Sequence, residues 1–263
     1  MAKKTDAAAA PQDPMEELCQ ILVELSLTTL ARDLPSLLAH AEQTGPAYSD
    51  FLRRAVDVER EARAGRKVQR RLRWSRLGPN PSLDGFDFSA RPQLSPQVVR
   101  ELLNCRFVEE KRNIILVGRP STGKTTVARA IGHAACQLGY SVYYVSMEEM
   151  LQGLNASRAD RTYRKVFRRI EQPDLLILED AGFSSIDRDG ANELFRVVGA
   201  RYRQRSTMVV TNLQFTKWEE ILPSPAQAVA ICERLIDQAT ILRFGGKPFR
   251  RPRDVYGAPL DEE

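Results

Sequence analysis

The sequence predicts an α/β fold: a parallel sheet with helices on both faces, preceded by a small all-helical domain at the amino terminus. Three observations carry this. Five short apolar runs alternate with helical patterns from residue 112 onward, as in a parallel sheet built from strand–helix units. The runs are continuously apolar, as strands covered on both faces must be. Upstream of residue 78 the apolar residues recur instead at intervals of three and four, the period of helices. At 263 residues the chain has room for one large or two small domains, and 43% hydrophobic with 28% charged residues excludes a wholly disordered or collagen-like chain.

Residues 1–13, rich in Ala, Pro and Lys, are expected to form a disordered tail. The helical domain is expected over 14–77. Its first helix starts at Pro14 and sets Leu18, Ile21, Leu22 and Leu25 on one face. A short second helix is expected over 34–42, and Thr44-Gly45-Pro46 breaks the chain before Ser49 caps a third. The third carries Phe51, Leu52, Ala55 and Val58 on one side and Arg63, Arg66, Lys67 and Arg70 on a basic face, although Gly65 weakens it by about 1 kcal/mol relative to Ala. The turn-forming GPNPSLDG at 78–85 reads as a linker. The sheet domain is expected over 86–254, with strands at 112–118, 141–146, 174–180, 206–212 and 239–244, and an acidic tail follows at 255–263.

Between the first apolar run and an amphipathic helix lies Gly118-Arg119-Pro120-Ser121-Thr122-Gly123-Lys124-Thr125, a full match to GxxxxGK[ST] in the strand–loop–helix setting that motif requires. Its glycines let backbone N–H groups turn onto phosphates, and the helix N-terminus adds positive potential. With Thr126, these residues are the candidate site for ATP. Lys124 would reach the outer phosphates, and the Thr125 hydroxyl would ligate Mg²⁺. The third run, LLILED, ends in Glu179 and Asp180, where the metal and the attacking water both need a carboxylate. Paired acids in P-loop ATPases usually run Asp then Glu, the short one behind the metal and the long one orienting the water. The reverse order here gives Glu179 the metal role and Asp180 the catalytic one, and it predicts slow hydrolysis with binding intact. Asn212, after the fourth run, either ends a strand in a turn or presents its amide between that acid and the γ-phosphate. Arg234, on the helix before the last run, is either a surface residue or a finger that reaches a neighbouring subunit's γ-phosphate.

Charge is unevenly placed. The chain carries 39 Lys and Arg against 34 Asp and Glu, a net +5. Residues 60–76, 157–169 and 243–253 hold +7, +5 and +5, so these 41 residues sum to +17 and the remaining 222 to −12. An acidic body with three basic patches is the footprint of a polyanion binder. The candidate DNA contacts are Arg66, Lys67 and Arg70 in the first patch and Arg158, Arg161, Lys165, Arg168 and Arg169 in the second. In the second, Tyr163, Val166, Phe167 and Ile170 should point inward. No pattern suggests base-edge readout, so binding to duplex DNA should be largely independent of sequence and strongly salt-sensitive. The four cysteines form no CxxC pair and are joined by only two histidines, which argues against zinc or a disulfide framework. With no secretory or membrane-spanning run, the expected location is the cytoplasm, with reduced thiols and no membrane partner.

From Met15 to Arg253 the chain resembles the IstB-like ATPases, transposition helpers related to the helicase loader DnaC within the AAA+ class. The resemblance rests on collinear blocks: MEELCQILVELSLTTLARDL, RRLRWSRL, FDFS, GRPSTGKTT, HAACQLGYSVYYVS, DLLILEDAGF, ELFRVVGARYRQRSTMVVTNLQF and CERLIDQATILRF. It implies a P-loop AAA+ domain without a helical lid, with ATP and Mg²⁺ as cofactors. It also implies Asn212 as a γ-phosphate sensor and Arg234 as a finger in trans, in a homo-oligomer joined through its ATP sites. The second basic segment would be an inserted helical element facing DNA, and Arg250 would contact nucleotide or DNA. The implied activity is slow ATP hydrolysis coupled to DNA binding and to recruitment of a transposase through the helical domain. A DnaC-type helicase loader and a nucleotide-gated DNA scaffold with little turnover are the alternatives. Relatives carry Asp-Asp or Asp-Glu where Glu179-Asp180 stand, and small residues in place of Arg119.

Overall fold

Three helices come first, followed by a sheet, in a computed structural model that describes residues 13–79, 83–182 and 185–246. The expected tails apart from Asp13, residues 80–82 of the expected linker, Arg250 and most of the third basic segment lie outside the described residues. The chain divides into two compact units between Gln69 and Arg70.

In the first unit, α1 (Pro14–Glu24) opens under Asp13, whose carboxylate accepts from the Met15 amide at 3.1 Å. Its inward residues are Met15, Cys19 and Leu22, which pack on Leu30, Leu34, Leu37 and Ala55. Leu18 and Ile21, expected on the buried face, are instead 43% and 45% exposed. The apolar residues of this segment are broad enough to satisfy two faces, and period alone does not choose between them.

Helix α2 (Thr28–Thr44) starts earlier than the expected 34, and Pro35 lies inside it. The reason is remote in sequence. The Glu59 carboxylate, 3% exposed, accepts from the amides of Thr29 (2.8 Å) and Leu30 (3.0 Å), capping α2 from another helix. Helix α3 (Tyr48–Ser75) begins one residue before Ser49, with the Asp50 and Phe51 amides both donating to the Ala47 carbonyl, so Ser49 is not its cap.

The second unit begins in the last turns of α3. Leu77 is fully buried in its core, so the unit starts ahead of the 78–85 stretch expected to be the linker. Helices α4 (Pro96–Leu103) and α5 (Arg106–Glu109) lead to β1 (Ile114–Gly118), then α6 (Lys124–Leu138), β2 (Val142–Ser146), α7 (Met147–Ala159) and α8 (Tyr163–Glu171). Next come β3 (Leu175–Ala181), α9 (Arg188–Arg201), β4 (Ser206–Thr211), a 3₁₀ turn (Phe215–Glu220), α10 (Pro225–Ile236) and β5 (Thr240–Phe244). All five expected strands form, in one parallel sheet of order β2-β3-β4-β1-β5.

Alternate residues of each strand serve opposite cores. Ile114, Leu116, Ile177, Met208 and Leu242 face α4, α5 and α6, while Ile115, Leu176, Leu178 and Val209 face α7 to α10. Each fully buried aliphatic chain contributes about 1.5–3 kcal/mol relative to exposure, which makes this two-sided burial the main support of the sheet. The order sets β1 between β4 and β5, with Val117 in register with Thr211 on one side and Arg243 on the other. The loop after β1 therefore opens at the carboxyl edge of the sheet, beside the ends of β4 and β5.

Candidate functional site

The loop from Gly118 to Gly123 is built by backbone constraints. A Cβ on Gly118 would lie 2.2 Å from the Phe244 carbonyl oxygen, so β1 and β5 can approach there only over glycine. Ser121 (φ 58°) and Gly123 (φ 95°) take left-handed conformations that fold the loop back, and α6 starts at Lys124 with no side-chain cap. Its first amides are thus open to an anion. Thr122 is buried and its hydroxyl donates to the Arg119 carbonyl at 2.8 Å.

Lys124, only 6% exposed, donates from Nζ to the carbonyls of Gly118 (2.7 Å) and Arg119 (2.8 Å) and to Asn212 Oδ1 (2.6 Å). Burial lowers its pKa, and the charges of Glu179 and Asp180 oppose that shift. The Thr125 hydroxyl donates to Glu179 Oε1 at 2.6 Å. Glu179 is buried, and burial raises its pKa against the Thr125 hydrogen bond, with Asp180 adding to the rise. Its second oxygen, Oε2, is buried without a hydrogen bond among the described residues. That orphaned oxygen beside a threonine hydroxyl is a hard-oxygen pair that fits Mg²⁺. No cluster of three or more His, Cys, Asp or Glu able to hold a metal occurs among the described residues, so phosphate and water oxygens would complete the shell.

The two acids diverge. Asp180 sits at φ 53° where the β3–β4 register shifts between Leu178 and Ala181, and its side chain is exposed. It lines a separate cavity of about 540 Å³ with Ser146 and Gly182. Lys124, Thr125, Glu179 and Asn212 are therefore brought together, and Asp180 stands at the edge of that group. Thr126, in the first turn of α6, is half-buried. Pro120 and Arg119 are exposed on the loop. Arg234, in the last turn of α10, donates to its own helix at the Ala230 carbonyl (2.7 Å) and lies 4.9 Å over the Phe195 ring.

Sequence reasoning missed Arg91. It is 1% exposed, and its Nε donates to the Thr122 carbonyl at 3.0 Å, bracing the loop from behind. A lone arginine in SARPQL carries no period or motif to reveal it.

The candidate DNA contacts separate into two groups. Arg66 joins Arg63 on the buried Glu59 (2.8 and 2.9 Å) and also donates to the Thr29 hydroxyl (2.7 Å). Arg158 pairs with Glu193, which is wholly buried and also receives the Tyr163 hydroxyl at 2.6 Å. Arg169 lies 5.1 Å over the Tyr143 ring. These three have partners in the fold and are nevertheless exposed, as are Lys67, Arg70, Arg161, Lys165 and Arg168.

The second basic segment, expected as one helical element, spans the end of α7 and most of α8. Asp160 accepts from the Thr162 amide and hydroxyl, and Arg161 takes φ 61°, which ends α7 before α8 begins. Ile170 is buried as expected, with Tyr163, Val166 and Phe167 packed around the same core.

Among solved structures, the DnaA replication initiator bound to AMPPCP and single-stranded DNA is similar in fold, with a TM-score of 0.56 at 22% identity over 65% of this chain and 52% of that one. DnaI is similar with a TM-score of 0.53 at 21% identity, over 66% and 92% of the two chains. By sequence, the putative ATP-binding protein of insertion sequence IS21 from Pseudomonas aeruginosa is 31% identical over 90% of this chain and 89% of its own length. That of IS5376 from Geobacillus stearothermophilus is 28% identical over 91% and 94%. The P-loop constellation thus sits in a fold similar to those of DnaA and DnaI, and the match to IstB-like ATP binding protein over residues 20–255 makes the chain a member of that family.

Proposed function

We propose that the chain is an ATP-dependent helper of DNA transposition that binds duplex DNA, oligomerises through its ATP sites and recruits or regulates a transposase. The observation that carries the reading is the convergence of Lys124, Thr125, Glu179 and Asn212 at the end of β1. Lys124 would move from the loop carbonyls onto the outer phosphates, and Asn212 would follow the γ-phosphate through the same amide. Thr125 and Glu179 would hold Mg²⁺, which when bound neutralises phosphate charge. Asp180 would orient the water. Its exposed, left-handed position at the edge of the group supports slow turnover and favours, as a second reading, a nucleotide-gated scaffold.

Insertion-sequence relatives support the transposition context. The exposed Lys165 and Arg168 of α8, with Arg161 beside them, support a phosphate-backbone contact. In an oligomer Arg234 would leave the Phe195 ring to reach the neighbour's γ-phosphate. Imaging the protein with duplex DNA and a non-hydrolysable ATP analogue tests all of these together. An ATP-dependent oligomer on DNA supports the reading, and DNA affinity indifferent to nucleotide overturns it. Phosphate release with and without DNA separates an ATPase from a scaffold.

A further inference from the structure

Next to the phosphate loop lies a cavity of about 610 Å³ whose polar side chains are Gln93, Arg119, Asn212, Gln214 and Arg243. Among the described residues no acid lines it, and neither guanidinium has a hydrogen bond or ion pair. Several other arginines of this unit are engaged, Arg112 with Glu110, Arg158 with Glu193, Arg203 with Asp237, and Arg201 with a ring of carbonyls. Two exposed arginines on a common cavity with no counter-charge form a receptor for an anion.

The cavity is built into the fold. Arg243 lies on the edge strand β5 in register with Val117, and Arg119 follows Val117 by two residues, so both stand at the carboxyl edge of the sheet. Gly246, also on its wall, would clash with the Ala90 carbonyl at 2.1 Å if it carried a Cβ, as Gly118 would with Phe244. Asn212 is shared: it lines the cavity while accepting the 2.6 Å hydrogen bond from Lys124. Asn212 thus borders both the Lys124 group and this cavity.

We propose that the Arg119–Arg243 cavity is a second phosphate site, bordering the P-loop cradle at Gly118, Arg119 and Asn212, that holds a phosphate group while nucleotide occupies the loop. The inference rests on the nucleotide reading above. Its occupant is either the orthophosphate released from ATP or a backbone phosphate of DNA.

The test uses the full chain saturated with Mg²⁺ and ADP, with ADP binding measured separately. Inorganic phosphate is titrated and followed by ³¹P line broadening, and the salt slope of DNA affinity is measured on the same samples. In the double variant Arg119→Gln, Arg243→Gln, phosphate should bind about tenfold more weakly if orthophosphate is the ligand. If DNA is the ligand, the salt slope should fall by about two units. A change in neither overturns the proposal. Failure of ADP to bind would instead sink the nucleotide reading. If the double variant melts early, Arg243→Gln alone is used, with about a threefold loss or a one-unit fall expected and no change again fatal.

Discussion

Exchanging the two acids, Glu179→Asp together with Asp180→Glu, should speed hydrolysis while loosening the grip on Mg²⁺ and ATP. The Thr125 hydroxyl lies 2.6 Å from Glu179 Oε1, and losing a methylene withdraws the carboxylate by about 1.5 Å, beyond hydrogen-bond reach. The same withdrawal takes the carboxylate from the place where it would hold Mg²⁺, and a contact to a charged group is worth about 1.5–3 kcal/mol, so affinity for Mg²⁺-nucleotide should fall roughly 10- to 100-fold. The same methylene added at 180 lets the exposed carboxylate reach inward toward an attacking water. A better-placed base should raise kcat about tenfold, or about 1.4 kcal/mol off the barrier.

Residue 180 holds φ 53°, which a glutamate tolerates less well than an aspartate, so stability should drop by up to about 1 kcal/mol. Phosphate release across ATP concentrations, with a melting curve on each sample, separates the three effects. The single change Glu179→Asp should raise KM with no gain in kcat. A folded double variant whose kcat equals that of the native chain would refute the reasoning from acid order.

Gly118→Ala places a Cβ 2.2 Å from the Phe244 carbonyl, and because a strand backbone must move, urea unfolding should show a loss of about 1–3 kcal/mol or more. Arg91→Gln should raise the KM for ATP more than it lowers kcat, because the Thr122 carbonyl loses its brace; Arg91→Lys should restore part of that affinity. Lys165→Ala with Arg168→Ala should flatten the salt slope of DNA binding by about one unit per lost contact while leaving the melting temperature in place. Arg158→Ala should do the reverse, costing about 1–2 kcal/mol by leaving the buried Glu193 with Tyr163 as its main partner.

For Glu59, burial is outweighed by the Leu30 amide, Arg63, the Thr29 amide and Arg66, which hold the carboxyl at about 2, below its ordinary 4.5. The lowered value means that its stabilisation is complete above about pH 4.5 and is lost as the pH falls toward 2. The melting difference between the native chain and Glu59→Ala, followed by circular dichroism, should be flat above pH 4.5 and shrink below it.

What was legible in the sequence depends on whether a period, a motif or a family pattern marks the residue. The strands announce themselves because a run buried on both faces must be apolar throughout, and Lys124 and Thr125 sit inside one short motif. Asn212 is 88 residues from Lys124, and the residues alone left it between a turn and a phosphate contact; the family resemblance singled it out. Glu59 and Arg91 were invisible for the opposite reason. Their bonds to Leu30 and Thr122 span 29 and 31 residues between elements whose pairing no period encodes.

The charge pattern was legible only in sum. It located the basic segments but not which guanidiniums meet buried carboxylates, since Glu59 and Glu193 look like surface acids until burial is known. A buried carboxylate that stays charged needs a cation or hydrogen-bond donors, and Glu59 and Glu193 meet that need with arginines. Arg66 and Arg158 are claimed in this way, and Arg169 is held by an aromatic face. In the proposed DNA reading, the exposed cations of the second segment with no partner among the described residues include Arg161, Lys165 and Arg168. The salt dependence of DNA binding should count those residues and not the whole patch.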